Sequence, residues 1–94
     1  MRGPFDADHL DPPPAPVLIY DLNLGGAFVK FAEARPSSAT LTLKIDLPFE
    51  GSITVSAEAV YRDVAGVAVR FVNMDSTTTT RLARNIQMLM LHAR

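Results

Sequence analysis

The sequence predicts a mainly all-β fold, an antiparallel six-stranded β-barrel with a C-terminal α-helix. Three observations predict it. Apolar and polar residues alternate with a period of two through the middle of the chain, the pattern of half-buried strands. Short clusters of Asp, Asn, Gly and Pro punctuate those stretches and supply turns. The C-terminal residues switch to helical spacing. A chain of 94 residues makes one modest core, and closing the sheet on itself is the cheapest way to hide its edges.

The elements follow in order. Residues 1–16 hold five of the seven prolines, together with Asp6, Asp8 and Asp11. Polyproline geometry is expected there, so 1–16 reads as a flexible Pro/Asp-rich arm and 17–94 as the barrel domain with its helix. Val17-Leu18-Ile19-Tyr20 is a short apolar strand. It runs into Asp21-Leu22-Asn23-Leu24-Gly25-Gly26, a turn, and Ala27 to Phe31 returns. Gly26 is expected to hold a backbone conformation awkward for a residue with a Cβ.

Ala39, Leu41, Leu43, Ile45 and Leu47 then alternate with Thr40, Thr42, Lys44 and Asp46. After the turn Pro48-Phe49-Glu50-Gly51, Ile53, Val55, Ala57, Ala59 and Tyr61 repeat the pattern. Asp63-Val64-Ala65-Gly66 turns into Val67 to Val72. Leu41, Leu43, Ile45, Val55, Ala57, Val69 and Phe71 form the expected core. Asp75 or Ser76 caps a helix ending near His92. Leu82, Ile86 and Leu89 lie on one of its faces, while Met88 and Leu91 fall on the opposite side at 100° per residue.

Composition narrows the function. Nine basic and ten acidic residues give a net charge of −1, without the basic surplus of a nucleic-acid binder. There is no cysteine, which removes disulfides and thiolate sites. No apolar run approaches the roughly 18 residues of a membrane span, so no membrane insertion is expected. The N-terminus lacks a secretory pattern, and the expected location is the cytoplasm. His9 and His92 stand at opposite ends without spaced partners, so no metal site is expected. No nucleophile–His–acid arrangement or phosphate-cradling glycine loop is present, and an enzyme is not expected.

Three segments, Asp21 to Phe28, Glu58 to Arg62 and Gly66 to Phe71, in this order and spacing resemble the PilZ family of bacterial cyclic di-GMP receptors. Asp21-Leu22-Asn23-Leu24-Gly25-Gly26-Ala27-Phe28 looks like the family's turn motif, Asp or Asn, one residue, a small residue, two residues, then Gly. Glu58-Ala59-Val60-Tyr61-Arg62 is similar to its long strand. Gly66-Val67-Ala68-Val69-Arg70-Phe71 resembles its Gly-x-Gly-Val-x-Phe strand, with Ala68 where the second Gly is usual. The resemblance implies a barrel with a C-terminal helix. It also implies a guanine site at Asp21, Asn23 and Gly26, with Asn23 replacing the usual Ser.

Ligand-binding members also carry an Arg-x-x-x-Arg segment in the N-terminal arm that clasps phosphates. Here Arg2 is the only basic residue before Lys30, and Asp6 stands four positions on. Losing two charge-assisted contacts would cost on the order of 3–6 kcal/mol, and Asp6, Asp8 and Asp11 would repel the phosphates further. A micromolar site would become about millimolar. The expected function is therefore a signalling adaptor acting by protein–protein contact, with no cofactor and no useful binding of cyclic di-GMP. Met88 and Leu91 are its expected contact surface, toward a protein partner or a second copy in a weak homodimer. The alternative is a true cyclic di-GMP receptor, with Arg2, Arg62, Arg70 or residues upstream of Met1 standing in for the lost pair.

Overall fold

The computed structural model describes residues 3–11, 14–31 and 39–92. Six strands, β1 (Phe5–His9), β2 (Ala15–Tyr20), β3 (Gly26–Phe31), β4 (Thr40–Leu47), β5 (Gly51–Arg62) and β6 (Val67–Val72), precede a helix, α1 (Ser76–His92). Neighbouring strands are antiparallel and close into a barrel in the order β1-β2-β3-β6-β5-β4. The predicted fold is the observed one.

The N-terminal arm is not the loose spacer expected for 1–16. Phe5–His9 is a full member of the barrel, pairing with β2 over five positions and with β4 over three. Phe5, Ala7 and His9 turn inward and are buried, while Asp6 and Asp8 face out. A polar histidine and two acids in five residues disguise this strand's period of two. His9 is paid for locally: Nε2 lies 3.0 Å from Asp11 Oδ2, and the ring meets Phe31 edge-on at 5.8 Å. The strand that follows begins at Ala15, with Pro16 set opposite Asp8.

The seven residues expected in the core, Leu41, Leu43, Ile45, Val55, Ala57, Val69 and Phe71, are all buried. Ala59 is only partly buried, and Tyr61 departs from the alternation. The β5–β6 register shifts between Ala59 and Tyr61, so Val60 is the extra residue of a bulge and Tyr61 ends up exposed.

Asp75 caps α1, its Oδ1 accepting the Thr78 N–H at 2.7 Å. Leu82 is fully buried, and Ile86 and Leu89 pack partly against the core, as the helical spacing requires. Asn85, on the same face, is also fully buried. Of the two residues expected to turn away, Leu91 does so at 60% exposure, but Met88 is half-buried. Met90, at 67%, is the more exposed neighbour. Among the described residues no helix is long and apolar enough to cross a membrane.

Candidate functional site

The turn between β2 and β3 is organised by Asn23. Its Oδ1 accepts the backbone N–H groups of Gly25 at 2.8 Å and Gly26 at 3.0 Å. Its Nδ2 donates to the Asp21 carbonyl at 3.3 Å, and its own N–H donates to the Gly26 carbonyl at 3.0 Å. This is Asx-turn chemistry, in which a short amide side chain replaces backbone partners. Asn23 is thus spent on shaping the turn. Leu22 is buried beneath it and anchors the loop to the core.

Asp21 is exposed and adopts a positive φ of 53°, a left-handed conformation that Asp tolerates better than most residues. Its carboxylate has no part in the hydrogen bonds that build the turn. Gly26 is required for a different reason from the one expected. Its φ is not positive; instead a Cβ there would collide with the Val69 carbonyl oxygen on β6. The Gly25 carbonyl accepts the Phe71 N–H at 2.8 Å, which ties the turn to β6 a second time.

Behind the turn lies an open groove of about 420 Å³, lined by Asp21, Asn23, Gly25, Gly26, Phe28 and Ala68 among others. Arg70 stands directly across from Gly26 in the β3–β6 register. Its side chain is 63% exposed, and Nη2 donates to Glu58 Oε1 at 2.8 Å. Among the described residues, Arg70 is the one of the substitutes for the missing pair that stands beside the turn. Arg62 pairs with Val67 at the far end of β6. Arg2 lies outside the described residues.

The three acids counted against an anionic ligand lie elsewhere. Asp6 and Asp8 line a separate groove with Pro16, Leu18 and Lys30. Asp11 holds His9 and the Thr42 N–H, the latter at 3.2 Å. Register-dependent placements of this kind, Arg70 among them, carry no local signal in a single sequence.

The PilZ domain family model matches residues 7–87. The PilZ domain of YcgR from Escherichia coli, with c-di-GMP, is similar in structure with a TM-score of 0.76 at 22% identity, covering 97% of this chain and 85% of that one. The crystal structure of YcgR from Escherichia coli in complex with c-di-GMP is similar with a TM-score of 0.74 at 21% identity, covering 99% of this chain and 44% of the longer one. No curated protein matches the sequence significantly.

Proposed function

This chain belongs to the PilZ domain family, a family of non-enzymatic regulatory domains, and from that premise we propose that it is a receptor module that reads cyclic di-GMP at the β2–β3 turn. What carries this reading is Asp21. An exposed carboxylate at the head of a preformed turn presents two acceptor oxygens, matching the paired N–H donors on the edge of a guanine. Phe28 and Ala68 give the groove an apolar floor, and Gly26 leaves its rim flat.

Two considerations weaken the expectation of no useful binding. Asp6, Asp8 and Asp11 are engaged in or turned toward other parts of the surface. Arg70, across from Gly26, supplies a cation on the groove side, with Glu58 as a competitor that a phosphate must displace. Both YcgR structures hold cyclic di-GMP, which is the ligand to try.

Calorimetric titration with cyclic di-GMP tests the reading. Saturable heat that is lost in Asp21→Ala and weakened in Arg70→Ala supports it. No saturable heat up to about 1 mM, roughly the affinity left after losing two charge-assisted contacts, overturns it. A second reading is then favoured by Met90 and Leu91, exposed side by side near the end of α1. It makes the domain a ligand-independent adaptor that docks on a protein partner or a second copy. Sedimentation of Met90→Gln/Leu91→Gln against the parent chain tests that one.

A further inference from the structure

We propose that the outer wall of the barrel across β4, β1, β2 and β3 is a docking groove for a cationic, partly apolar segment of a partner protein. The groove encloses about 350 Å³ and is distinct from the one behind the β2–β3 turn. Its apolar surface comes from Pro16, Leu18 and Phe31, and Leu18 is 38% exposed although it sits mid-strand. Its charged border is Asp6, Asp8 and Asp46 against a single Lys30.

Outward-facing aspartates are ordinary on a soluble barrel, but these three differ in being unspent. Among the described residues none of their carboxylates has an ion pair or a side-chain hydrogen bond. Lys30 is turned over the Tyr20 ring, 5.5 Å from its centroid. Lys44 stands opposite Asp8 in the β1–β4 register and offsets that acid. Asp6 and Asp46 have no such neighbour. The β1–β4 pairing ends at Ala7 and Ile45, and Asp6 and Asp46, the next residues along the two strands, both line the groove. Like charges that share one groove without a partner favour a cation over a further anion there.

A Lys or Arg side chain laid in the groove would pair with these acids, and an adjacent apolar residue would cover Leu18 and Pro16. An anionic segment would meet three carboxylates and is excluded. The groove therefore commits to a partner strand or loop in which basic and apolar residues alternate. It is built on the same β2–β3 hairpin that carries Asp21, but its existence does not depend on ligand binding at the turn.

The test uses a fluorescein-labelled peptide of alternating Lys and Leu, with an alternating Glu and Leu peptide as control. Anisotropy should show saturable binding of the first alone, weakening as salt is raised. In an amide-resolved NMR titration the shifts should centre on Asp6, Asp8, Leu18, Lys30 and Asp46. Asp6→Asn/Asp46→Asn changes two outward-facing, exposed side chains and should fold normally while weakening binding by about tenfold or more. Leu18→Ser should weaken it with the salt dependence unchanged. Equal binding of the acidic peptide, shifts centred on α1, or full affinity in Asp6→Asn/Asp46→Asn would each overturn the proposal.

Discussion

Asn85, fully buried in the middle of α1, accepts a hydrogen bond from the Phe49 backbone N–H at 2.8 Å and so fastens the helix to the β4–β5 turn. Two arginines on its N-terminal side, Arg81 one turn before it and Arg84 next to it, reinforce the fastening. Arg81 donates to the Glu50 carbonyl, and Arg84 Nη1 reaches Glu50 Oε1 at 3.3 Å. In the Arg84 pair the arginine is 57% exposed and Glu50 only 16%, and a pair open to solvent on one side contributes modestly. The buried amide is the contact that holds α1 in register on the barrel.

Asn85→Ala should therefore cost about 1–3 kcal/mol, because it removes an acceptor and leaves a small void under the helix. The loss is moderated by Asn85 Nδ2, which is buried without a protein partner among the described residues and whose desolvation cost disappears with it. Urea denaturation measures this. An unchanged midpoint would mean that the apolar face of α1 holds the helix by itself.

Gly26→Ala should destabilise the domain, and Gly26→Val more so. Each introduces a Cβ into the Val69 carbonyl oxygen, and either β3 or β6 must shift. Overpacking of this kind costs roughly 1–3 kcal/mol. Gly25 provides the control, since a Cβ there meets only the Asn23 Oδ1 at 3.4 Å. Gly25→Ala should melt close to the parent chain, and thermal unfolding of the pair separates a local turn requirement from a cross-strand one.

That contrast also marks how far the sequence could be read. The strands β4 and β5 were legible because their alternation runs over many residues, and the Leu82–Ile86–Leu89 face because helical spacing is local. The turn was legible from Asp21, Asn23 and Gly26, whose chemistry acts within a few residues. Strand β1 was not, because Phe5, Ala7 and His9 offer one strongly apolar position amid acids and prolines. Asn85 read as a polar break in an apolar face. The position of Arg70 beside the turn and the true constraint on Gly26 depend on the β3–β6 register, which no local pattern encodes.

Asp75 predicts a pH dependence. The hydrogen bond from the Thr78 backbone N–H, and next that from the Thr78 hydroxyl, hold its carboxyl below the ordinary value of 3.8. A carboxylate favoured in the folded state contributes stability that is fully present above that ordinary value. The contribution is lost as pH falls through the lowered one. Helix content followed by circular dichroism should decline over that acid range. In Asp75→Asn, which keeps an acceptor oxygen for Thr78, that part of the decline should disappear. A decline identical in both chains would place its origin in other carboxylates.

The role of β1 gives the sharpest test of the architecture. If residues 1–9 were a spacer, a chain starting at Leu10 would melt like the parent. In the barrel β1 lies between β2 and β4, so its removal leaves two unpaired strand edges. It also uncovers the side chains that Phe5, Ala7 and His9 pack against. Burial of Phe5 alone contributes about 1.5–3 kcal/mol, and small domains are stable by only about 5–15 kcal/mol. The shortened chain should therefore lose its cooperative transition or aggregate. A milder change, Ala7→Asp, keeps the strand and its neighbouring acids but places a charge in the core, since Ala7 is only 4% exposed. That variant should lose several kcal/mol, on the order expected for an unpaired buried charge, whereas Asp8→Ala, one position along and facing solvent, should not. Stability indifferent to both changes would return β1 to the status of an arm and leave the barrel open between β2 and β4.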